Sequence, residues 1–400
     1  MLPSLIKIHD GVVHKGEPKV TLTVELLNGM PKVNDCVFFS EQVSTFFDGN
    51  IVDEVNKTKF HNKFEIVVRF DEQDPIWETH WNKYPDEQKL TAICGPSVDR
   101  FNLLTTKQKA RYYSVLADIA GVGRVAEFLK SHMQPALYFA PAAKIDGAGL
   151  TKFGGLPVAP KGFDFPKDNQ GKSLLFIGQM HIGELKQHFK TCQEFEGKGI
   201  LYFFGSTRAS HDKYYGFESI VVLYSEATKD LATVELPPDL KEYGVFAETG
   251  MVITEEITLP DCQSSLWTGE EITDEEYESC RIIDGFVEYY NWSRTMDYLQ
   301  LLGCPKSIQQ CVLLETEIRH SGRSWPGTDE WEKVVKELTA KAREWKVVLM
   351  LDVMQKYFKT LSNFKGVFNE YMDGCFYVMI RKMDFDNMKF GNTVSIYQST

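Results

Sequence analysis

One stretch of fourteen residues constrains the fold more than any other part of this sequence. Residues 153–166 read FGGLPVAPKGFDFP, with the adjacent glycines Gly154 and Gly155, three prolines and three phenylalanines. Glycine permits positive φ, proline fixes φ and removes a hydrogen-bond donor, and a residue before proline is driven towards extended backbone. The stretch therefore predicts a rigid loop, here called the signature loop, that its aromatic rings hold to a core.

The signature loop leads into a series of short apolar motifs. In chain order they are LLFIGQ at 174–179, GILYFF at 199–204, LLGCP at 301–305 with IQ at 308–309, DGCFYVMI at 373–380 and VSIYQ at 394–398. Together with the signature loop they resemble the YwqG-like family of bacterial proteins of unknown function, over about residues 105–400. The resemblance implies an α+β fold dominated by roll-like antiparallel sheets with flanking helices, and it implies no reaction.

The sequence departs from the family pattern at three places. Phe165 stands where the family usually shows tryptophan, and Met350 stands where it usually shows glutamine in the second strand of this type. Tyr371 and Met372 precede Asp373, where a Trp-Gly pair is common. If the family shares a polar site, Met350 is the residue that argues against its retention here.

The first hundred residues lie outside the resemblance and read as strands. Residues 20–26 alternate between apolar and polar, further short strands are predicted at 36–39, 63–70 and 90–94, and Asn28-Gly29 is a hairpin signal. A chain of 400 residues is long enough for two or three domains. We therefore expect a small β-rich N-terminal domain over 1–104 and a second domain over 105–400.

Helix signals punctuate the second domain. Thr105 and Thr106 precede an amphipathic run that Gly121 and Gly123 interrupt. Thr273 begins a capping box, and the helix after it is predicted to run to about Leu302. A further helix is predicted from Thr328.

An internal echo links two parts of this domain. An apolar strand followed by a Gly-led aromatic strand occurs at 174–179 with 199–204, and again at 347–351 with 374–380. The echo predicts two related β units packed together, with duplication as one explanation.

The net charge of −12 is concentrated in one segment. Residues 251–290 hold eleven acids and a single base, Arg281. An acidic balance argues against nucleic-acid binding and against an anionic membrane surface, since both need clustered Lys and Arg. A basic protein partner fits the charge. The predicted partner-binding residues are Glu255, Glu256, Glu270 and Glu271.

Candidate chemistry is sparse. The polar residues that could line a pocket near the Gly154-Gly155 loop are Gln179, Arg208, Gln309 and Asp373. For Gln179 and Asp373, hydrogen bonding to loop backbone is the simpler interpretation. His181, Glu184 and His188 have helical spacing for zinc, but His181 follows a strand, so no metal site is predicted.

No cysteine stands in a catalytic context. Cys304 is predicted near a helix C-terminus, where the dipole disfavours a thiolate, and Cys375 lies in an apolar strand. No phosphate-binding or dinucleotide motif occurs, so no cofactor is predicted.

The two functional hypotheses are therefore a protein-binding or regulatory module with an acidic interaction face, and an enzyme with an unrecognised site near the Gly154-Gly155 loop. The eight cysteines have no framework spacing, and the N-terminal residues lack the apolar core of a signal peptide. We therefore expect a cytoplasmic protein.

Overall fold

A computed structural model describes most of the chain, and the sheets fall into two compact units. The first unit comprises residues 1–133 and 271–294, and the second comprises 134–270 and 295–400. The sequence places residues 105–132 in the C-terminal domain, whereas in the structure they group with the N-terminal strands. The described residues are 3–13, 19–28, 32, 35–39, 51–57, 63–69, 91–96, 98–141, 150–209, 215–241, 245–262, 264, 272–292, 299–323, 328–352 and 374–399.

Six strands of the first unit close into an antiparallel barrel in the order β1-β2-β5-β4-β3-β6. The expected β-rich N-terminal region is thus present, with two strands, β1 and β4, that we did not predict. The hairpin prediction at Asn28-Gly29 is wrong, because β2 lies beside β1 and β5 rather than beside β3. The strands are β1 (Ser4–Val13), β2 (Lys19–Asn28), β3 (Asp35–Phe39), β4 (Ile51–Lys57), β5 (Lys63–Arg69) and β6 (Thr91–Pro96).

Four helices complete the first unit: α1 (Val98–Asn102), α2 (Thr106–Ala120), α3 (Val125–His132) and α5 (Asp274–Trp292). Thr105 caps α2 in a capping box with Gln108, because each residue's side chain accepts the other's backbone N–H. The predicted break at Gly121 and Gly123 separates α2 from α3.

Helix α5 is shorter than the sequence predicted. The capping box at Thr273 is confirmed, with the Glu276 N–H donating to Thr273 Oγ1 at 3.1 Å and the Thr273 N–H donating to Glu276 Oε2 at 3.2 Å. The helix nevertheless ends at Trp292, and Leu299–Leu301 form a strand instead of its last turn. The apolar residues at 299 and 301 alternate with Gln300, and this period of two belongs to a strand.

Two antiparallel sheets form the second unit. A four-stranded sheet has the order β12-β11-β10-β8, and a six-stranded sheet has the order β14-β7-β15-β16-β17-β18; β13 and β9 form a separate pair. The strands are β7 (Gln134–Pro141), β8 (Lys152–Phe153), β9 (Val158–Pro160), β10 (Leu175–His181), β11 (Ile200–Ala209), β12 (Tyr215–Ser225), β13 (Leu231–Thr233), β14 (Met251–Thr258), β15 (Leu299–Leu301), β16 (Trp345–Asp352), β17 (Gly374–Arg381) and β18 (Val394–Ser399).

The helices of this unit are α4 (Ile182–His188), α6 (Val312–His320), α7 (Thr328–Ala342) and α8 (Lys382–Asp386). We did not predict α6. Single 3₁₀ turns lie at Thr191–Glu194, Pro238–Leu240 and Phe390–Asn392. The expected class, α+β with antiparallel sheets dominating, is confirmed.

Strand β17 shows how the layers pack. Phe376, Val378 and Ile380 belong to one apolar core that also contains β10 and β11 of the other sheet. The alternate residues Cys375 and Tyr377 belong to a second core, which includes side chains of α6 and α7. Because successive side chains of a strand point to opposite faces, the six-stranded sheet lies between the four-stranded sheet and these helices.

The signature loop covers the other face of the four-stranded sheet. The Phe163 ring lies 4.9 Å from the Tyr202 ring, and the Phe165 ring lies 5.5 Å from the Phe204 ring, measured between centroids. Both faces of β10 and β11 are therefore covered, as their almost continuous apolar sequence predicted. The loop is held by its aromatic residues, which confirms the first expectation from the sequence.

Candidate functional site

The two adjacent glycines of the signature loop adopt the backbone that the sequence predicted. Gly154 has a φ of +69° and Gly155 a φ of +68°. The Gly154 N–H donates to the carbonyl of Ile177 at 2.8 Å, and the Gly155 N–H donates to that of Phe246 at 2.7 Å. A Cβ on Gly154 would lie 2.1 Å from the carbonyl oxygen of Ala247. Only glycine allows the loop to approach this neighbouring segment so closely.

Gln179 is fully buried, and its amide joins the signature loop to the segment that precedes it. Its Oε1 accepts the N–H of Val158 at 2.8 Å, and its Nε2 donates to the carbonyl of Leu150 at 2.8 Å. The simpler interpretation of Gln179, hydrogen bonding to loop backbone, is confirmed. Both ends of the amide are engaged in this bonding.

Gln309 does not extend the site. Its side chain is exposed, and its backbone N–H donates to Gln398 Oε1 at 3.3 Å. The buried glutamine at this place is Gln398, which also accepts the N–H of Ile308 at 2.9 Å and donates to Glu315 Oε2 at 2.9 Å. Sequence reasoning missed Gln398, although it lies two residues after Ile396 on a strand and therefore shares that residue's buried face.

The remaining two pocket candidates cannot be placed with the others. The backbone of Arg208 lies in β11, but its side chain is outside the described residues, as is the whole of Asp373. Of the six pocket candidates, the structure groups Gly154, Gly155 and Gln179 at the signature loop. Gln309 belongs to a different loop, before α6.

A charged pair beside the glycines was not predicted. Lys152 is 9% exposed, and its Nζ lies 2.6 Å from Glu248 Oε2. That oxygen would also lie 2.3 Å from a Cβ on Gly155. The pair therefore fastens β8 and the loop to the segment at 246–249. The signal available in the sequence was a lysine directly before the apolar Phe153 of the loop.

A small apolar cavity opens under the signature loop. Its volume is about 10 Å³, and it is lined by Gly155 and eight apolar side chains, among them Phe165, Phe176 and Phe246. A volume near 10 Å³ holds about one water-sized molecule. Gln179 is not part of the lining. The cavity offers neither the room nor the polar groups that a catalytic site needs.

Metal and thiol chemistry find little support in the described residues. His181 caps α4 from outside the helix, with Nδ1 accepting the Glu184 N–H at 3.2 Å. Among the described His, Cys, Asp and Glu side chains, no group of three is arranged to hold a metal. Burial raises the pKa of Cys304 to about 12, and burial also raises the pKa of Cys375. Cys304 follows a strand and a turn rather than a helix, so burial and not a helix dipole suppresses its thiolate.

The acidic segment divides into buried and exposed carboxylates. Glu256 is 6% exposed, and Glu255 Oε1 accepts the N–H and the hydroxyl of Thr191 at 2.8 and 2.7 Å. The expectation of an exposed acidic face is therefore wrong for Glu256, which is buried, whereas Glu255 is half-buried and bound to Thr191. Glu270 and Glu271 lie outside the described residues.

Helix α5 carries the exposed part of the charge. Asp274, Glu275 and Glu278 are exposed, whereas Glu276 is buried against Arg124. The Arg124 side chain and backbone, both of which donate to the Glu276 carboxylate, lower its pKa to about 2. The acids of this helix therefore have two roles, one inward and one towards solvent.

Comparison with known proteins locates the second unit in a family. The family described as domain of unknown function DUF1963 matches residues 151–399, which is well over half of the chain. Curated proteins give no match. No helix in the described ranges has the length and apolarity to cross a membrane. The match begins at the strand that opens the signature loop and ends with β18, so the chain belongs to the DUF1963 family.

Proposed function

We propose that this chain is a protein-binding module that meets a basic partner through the exposed carboxylates of α5. The observation that supports this function is the exposure of Asp274, Glu275 and Glu278. On a helix, residues three and four positions apart are neighbours, so Glu278 lies close to both Asp274 and Glu275 on the surface. The fourth acid of this turn, Glu276, already has its cation in Arg124.

The electrostatics of this face favour a cationic partner. Part of the charge has a local cause, because acids in the first turn of a helix are stabilised by about 0.3–1 kcal/mol each through the helix dipole. Glu278 forms a further pair with Arg281 at 2.9 Å, and both partners are exposed, so solvent weakens this pair. Clustered exposed carboxylates raise the association rate of a basic partner, and salt screens this attraction.

The enzyme alternative has no described contact in its favour. The glutamine that could have lined a pocket near Gly154 and Gly155 holds loop backbone instead. The cavity under the loop is apolar and has the size of one water molecule. The binding function is thus the one that the described residues support best.

The test uses neutral substitutions, because a lysine in the first turn of α5 would oppose the helix dipole. The full-length triple variant Asp274→Asn, Glu275→Gln, Glu278→Gln serves as bait in a pull-down from the native cell. The control triple variant Glu226→Gln, Glu235→Gln, Glu330→Gln removes the same charge from exposed positions of the second unit. We expect the α5 variant to lose a basic protein that the wild type and the control variant both retain.

Association kinetics with the captured protein complete the test. We expect the on-rate to fall in the α5 variant and to fall for the wild type between about 50 and 300 mM salt, as the Debye length shortens. A further variant, Glu270→Gln with Glu271→Gln, tests whether the predicted residues before α5 belong to the same face. A partner whose on-rate ignores both the α5 substitutions and salt contradicts the proposal.

A further inference from the structure

Helix α5 belongs to one unit by sequence context and to the other by packing. In the chain it lies between β14 and β15, which are both strands of the six-stranded sheet of the second unit. Its residues fall inside the DUF1963 match. Yet α5 is part of the first unit, with α1, α2 and α3. The family region thus contributes one helix to a unit whose other elements precede the match.

One carboxylate holds the N-terminal end of α5 in the first unit. Glu276 Oε1 accepts the backbone N–H of Arg124 at 2.9 Å and its Nε at 3.0 Å, and Oε2 accepts from the terminal nitrogen at 2.9 Å. Glu276 is 5% exposed. With the Thr273 N–H, the buried carboxylate has four charge-assisted or backbone donors, three of them from Arg124, which makes it a strong and geometrically specific contact.

Ser279, one turn further along, completes the turn between α2 and α3. Its hydroxyl donates to the carbonyl of Ala120 at 2.7 Å and accepts the N–H of Val122 at 3.0 Å. These are backbone groups at the end of α2, where the intrahelical hydrogen bonds run out. Helix α5 therefore supplies bonds that the α2–α3 turn needs.

The C-terminal part of α5 closes an aromatic cluster. The Tyr290 ring is fully buried and stacks on Phe101 at 4.0 Å between centroids. Tyr290 and Tyr112 share a hydrogen bond between their hydroxyls at 3.1 Å. Removal of α5 would expose both rings and leave the Tyr112 hydroxyl without this partner.

We infer that α5 is a latch, meaning that it unfolds and refolds in one cooperative step with the helices of the first unit, although its sequence lies in the family region. The contacts of Glu276, Ser279 and Tyr290 are spread along the helix. Each of them is made with α1, α2, α3 or the turn between α2 and α3. Opening of α5 should therefore loosen α2 and α3 and leave the two sheets of the second unit intact. The inference does not require a partner on the exposed acids.

Amide hydrogen exchange of the full-length protein, followed by mass spectrometry, tests the latch. The variant Glu276→Gln removes the carboxylate, and Glu278→Gln is its matched control on the exposed side of the same helix. We expect Glu276→Gln to speed exchange about tenfold or more in 272–292 and in 106–132, with 175–205 and 345–352 unchanged. Glu278→Gln should leave all four segments as in the wild type. Equal acceleration in the sheet segments, or none in 106–132, overturns the inference.

A second measurement covers the case in which Glu276→Gln does not fold. Native-state exchange of the wild type in rising urea reports which segments unfold together. We expect the amides of 274–292 to merge with those of 106–132 in one cooperative opening. If the amides of α5 instead exchange in the same opening as those of β10, β11 and β16, α5 unfolds with the second unit and the inference is wrong.

Discussion

Two sets of four strands in the second unit follow the same path, and their differences show what the signature loop requires. The strands β8, β10, β11 and β12 lie side by side in the first set, and β15, β16, β17 and β18 do so in the second. All neighbouring pairs are antiparallel. The register is interrupted between Phe176 and Gly178 in β10, and between Val347 and Leu349 in β16. The two sets of strands therefore share even the position of an irregularity in register, or β-bulge.

The loops after β8 and β15 repeat as well. Each opens with two residues at positive φ, Gly154-Gly155 at +69° and +68°, and Leu302-Gly303 at +61° and +82°. Each then continues with one residue and a proline. Tyr202 donates its hydroxyl to the carbonyl of Val158 at 3.1 Å, and Tyr377 donates to that of Lys306 at 2.5 Å. The LLGCP motif is thus the structural counterpart of the signature loop.

The polar anchors of the two loops differ. Gln179 lies opposite Tyr202 and holds Val158 and Leu150 by its amide, whereas Met350 lies opposite Tyr377 and has no amide. In the second set the anchor is Gln300, whose Nε2 donates to the carbonyls of Leu302 and Cys304 at 2.7 and 3.0 Å. The anchor has moved to the neighbouring strand, because Gln300 pairs with Met350. Each loop is therefore held by the buried amide of a glutamine side chain, but the glutamine occupies a different strand in each set.

The largest expected effect comes from Gly154→Ala. A Cβ there meets the Ala247 carbonyl oxygen at 2.1 Å, and backbone cannot move aside as a flexible side chain can. With the cost of positive φ added, we expect a loss of about 3 kcal/mol or more in the free energy of unfolding. The measurement is urea unfolding. Leu302, which occupies the equivalent position, already carries a side chain at φ +61°.

Gly162→Ala is the control for this change. Gly162 has a φ of +83°, and among the described residues no atom lies within 4 Å of the place that a Cβ would take. We expect a loss of only about 1–2 kcal/mol, from the backbone conformation alone. If both variants lost the same amount, close packing against Ala247 would not explain why the first loop needs glycine.

The second largest effect is expected from Gln179→Met. This variant places in the first set of strands the residue type that Met350 provides at the equivalent position of the second set. The substitution leaves the Val158 N–H and the Leu150 carbonyl without their described partner, and we expect a loss of about 2–3 kcal/mol. Gln300→Met, which removes the anchor of the other loop, should cost a similar amount. An unchanged unfolding midpoint in either variant would show that its amide does not anchor the loop.

The sequence revealed much of this arrangement. The echo between 174–204 and 347–380 paired the correct strands, because strands that are covered on both faces read as short, almost continuous apolar runs, and the same succession of runs occurs twice. It did not reveal the anchors. Strand alternation places Gln398 on the buried face of Ile396, but a buried position alone does not show which backbone groups an amide will hold. The sequence-based prediction names Gln309 and not Gln398, and it places Gln300 in a helix. The division of the chain into its two units was not predicted for a related reason, since nothing in the sequence of α5 shows that it packs on α2.

The third effect is a loss of folding stability at alkaline pH. Burial raises the pKa of Tyr202 to about 12, and burial raises the pKa of Tyr377 further above its usual value. A raised folded-state pKa contributes stability that is complete below the unfolded pKa, near 10, and is lost as pH rises towards the folded pKa. Each tyrosine should remove about 1.4 kcal/mol per pH unit above pH 10.

Urea unfolding between about pH 9 and pH 11 measures this slope. Thiols of the unfolded chain also ionise near this range, so the comparison is between wild type and the variants Tyr202→Phe and Tyr377→Phe, in which the thiols are unchanged. We expect each variant to have a shallower slope than the wild type, by about one proton. Identical slopes in all three proteins would contradict a raised pKa at both positions.

The smallest effect is the one that tests the equivalence of the two loops most directly. At neutral pH, Tyr202→Phe and Tyr377→Phe each remove one hydroxyl and keep the ring, so each should cost about 1 kcal/mol, the net contribution of one hydrogen bond. The two carbonyls occupy the same place in their loops, the third residue after the second positive-φ residue. The described acceptors of the two hydroxyls are different, the carbonyls of Val158 and Lys306, so the double variant should lose the sum of the two single losses. A loss confined to one variant would mean that the tyrosines share a register but not a function. The loop whose tyrosine can be replaced without loss would then be held by its glutamine, Gln179 after β8 or Gln300 after β15.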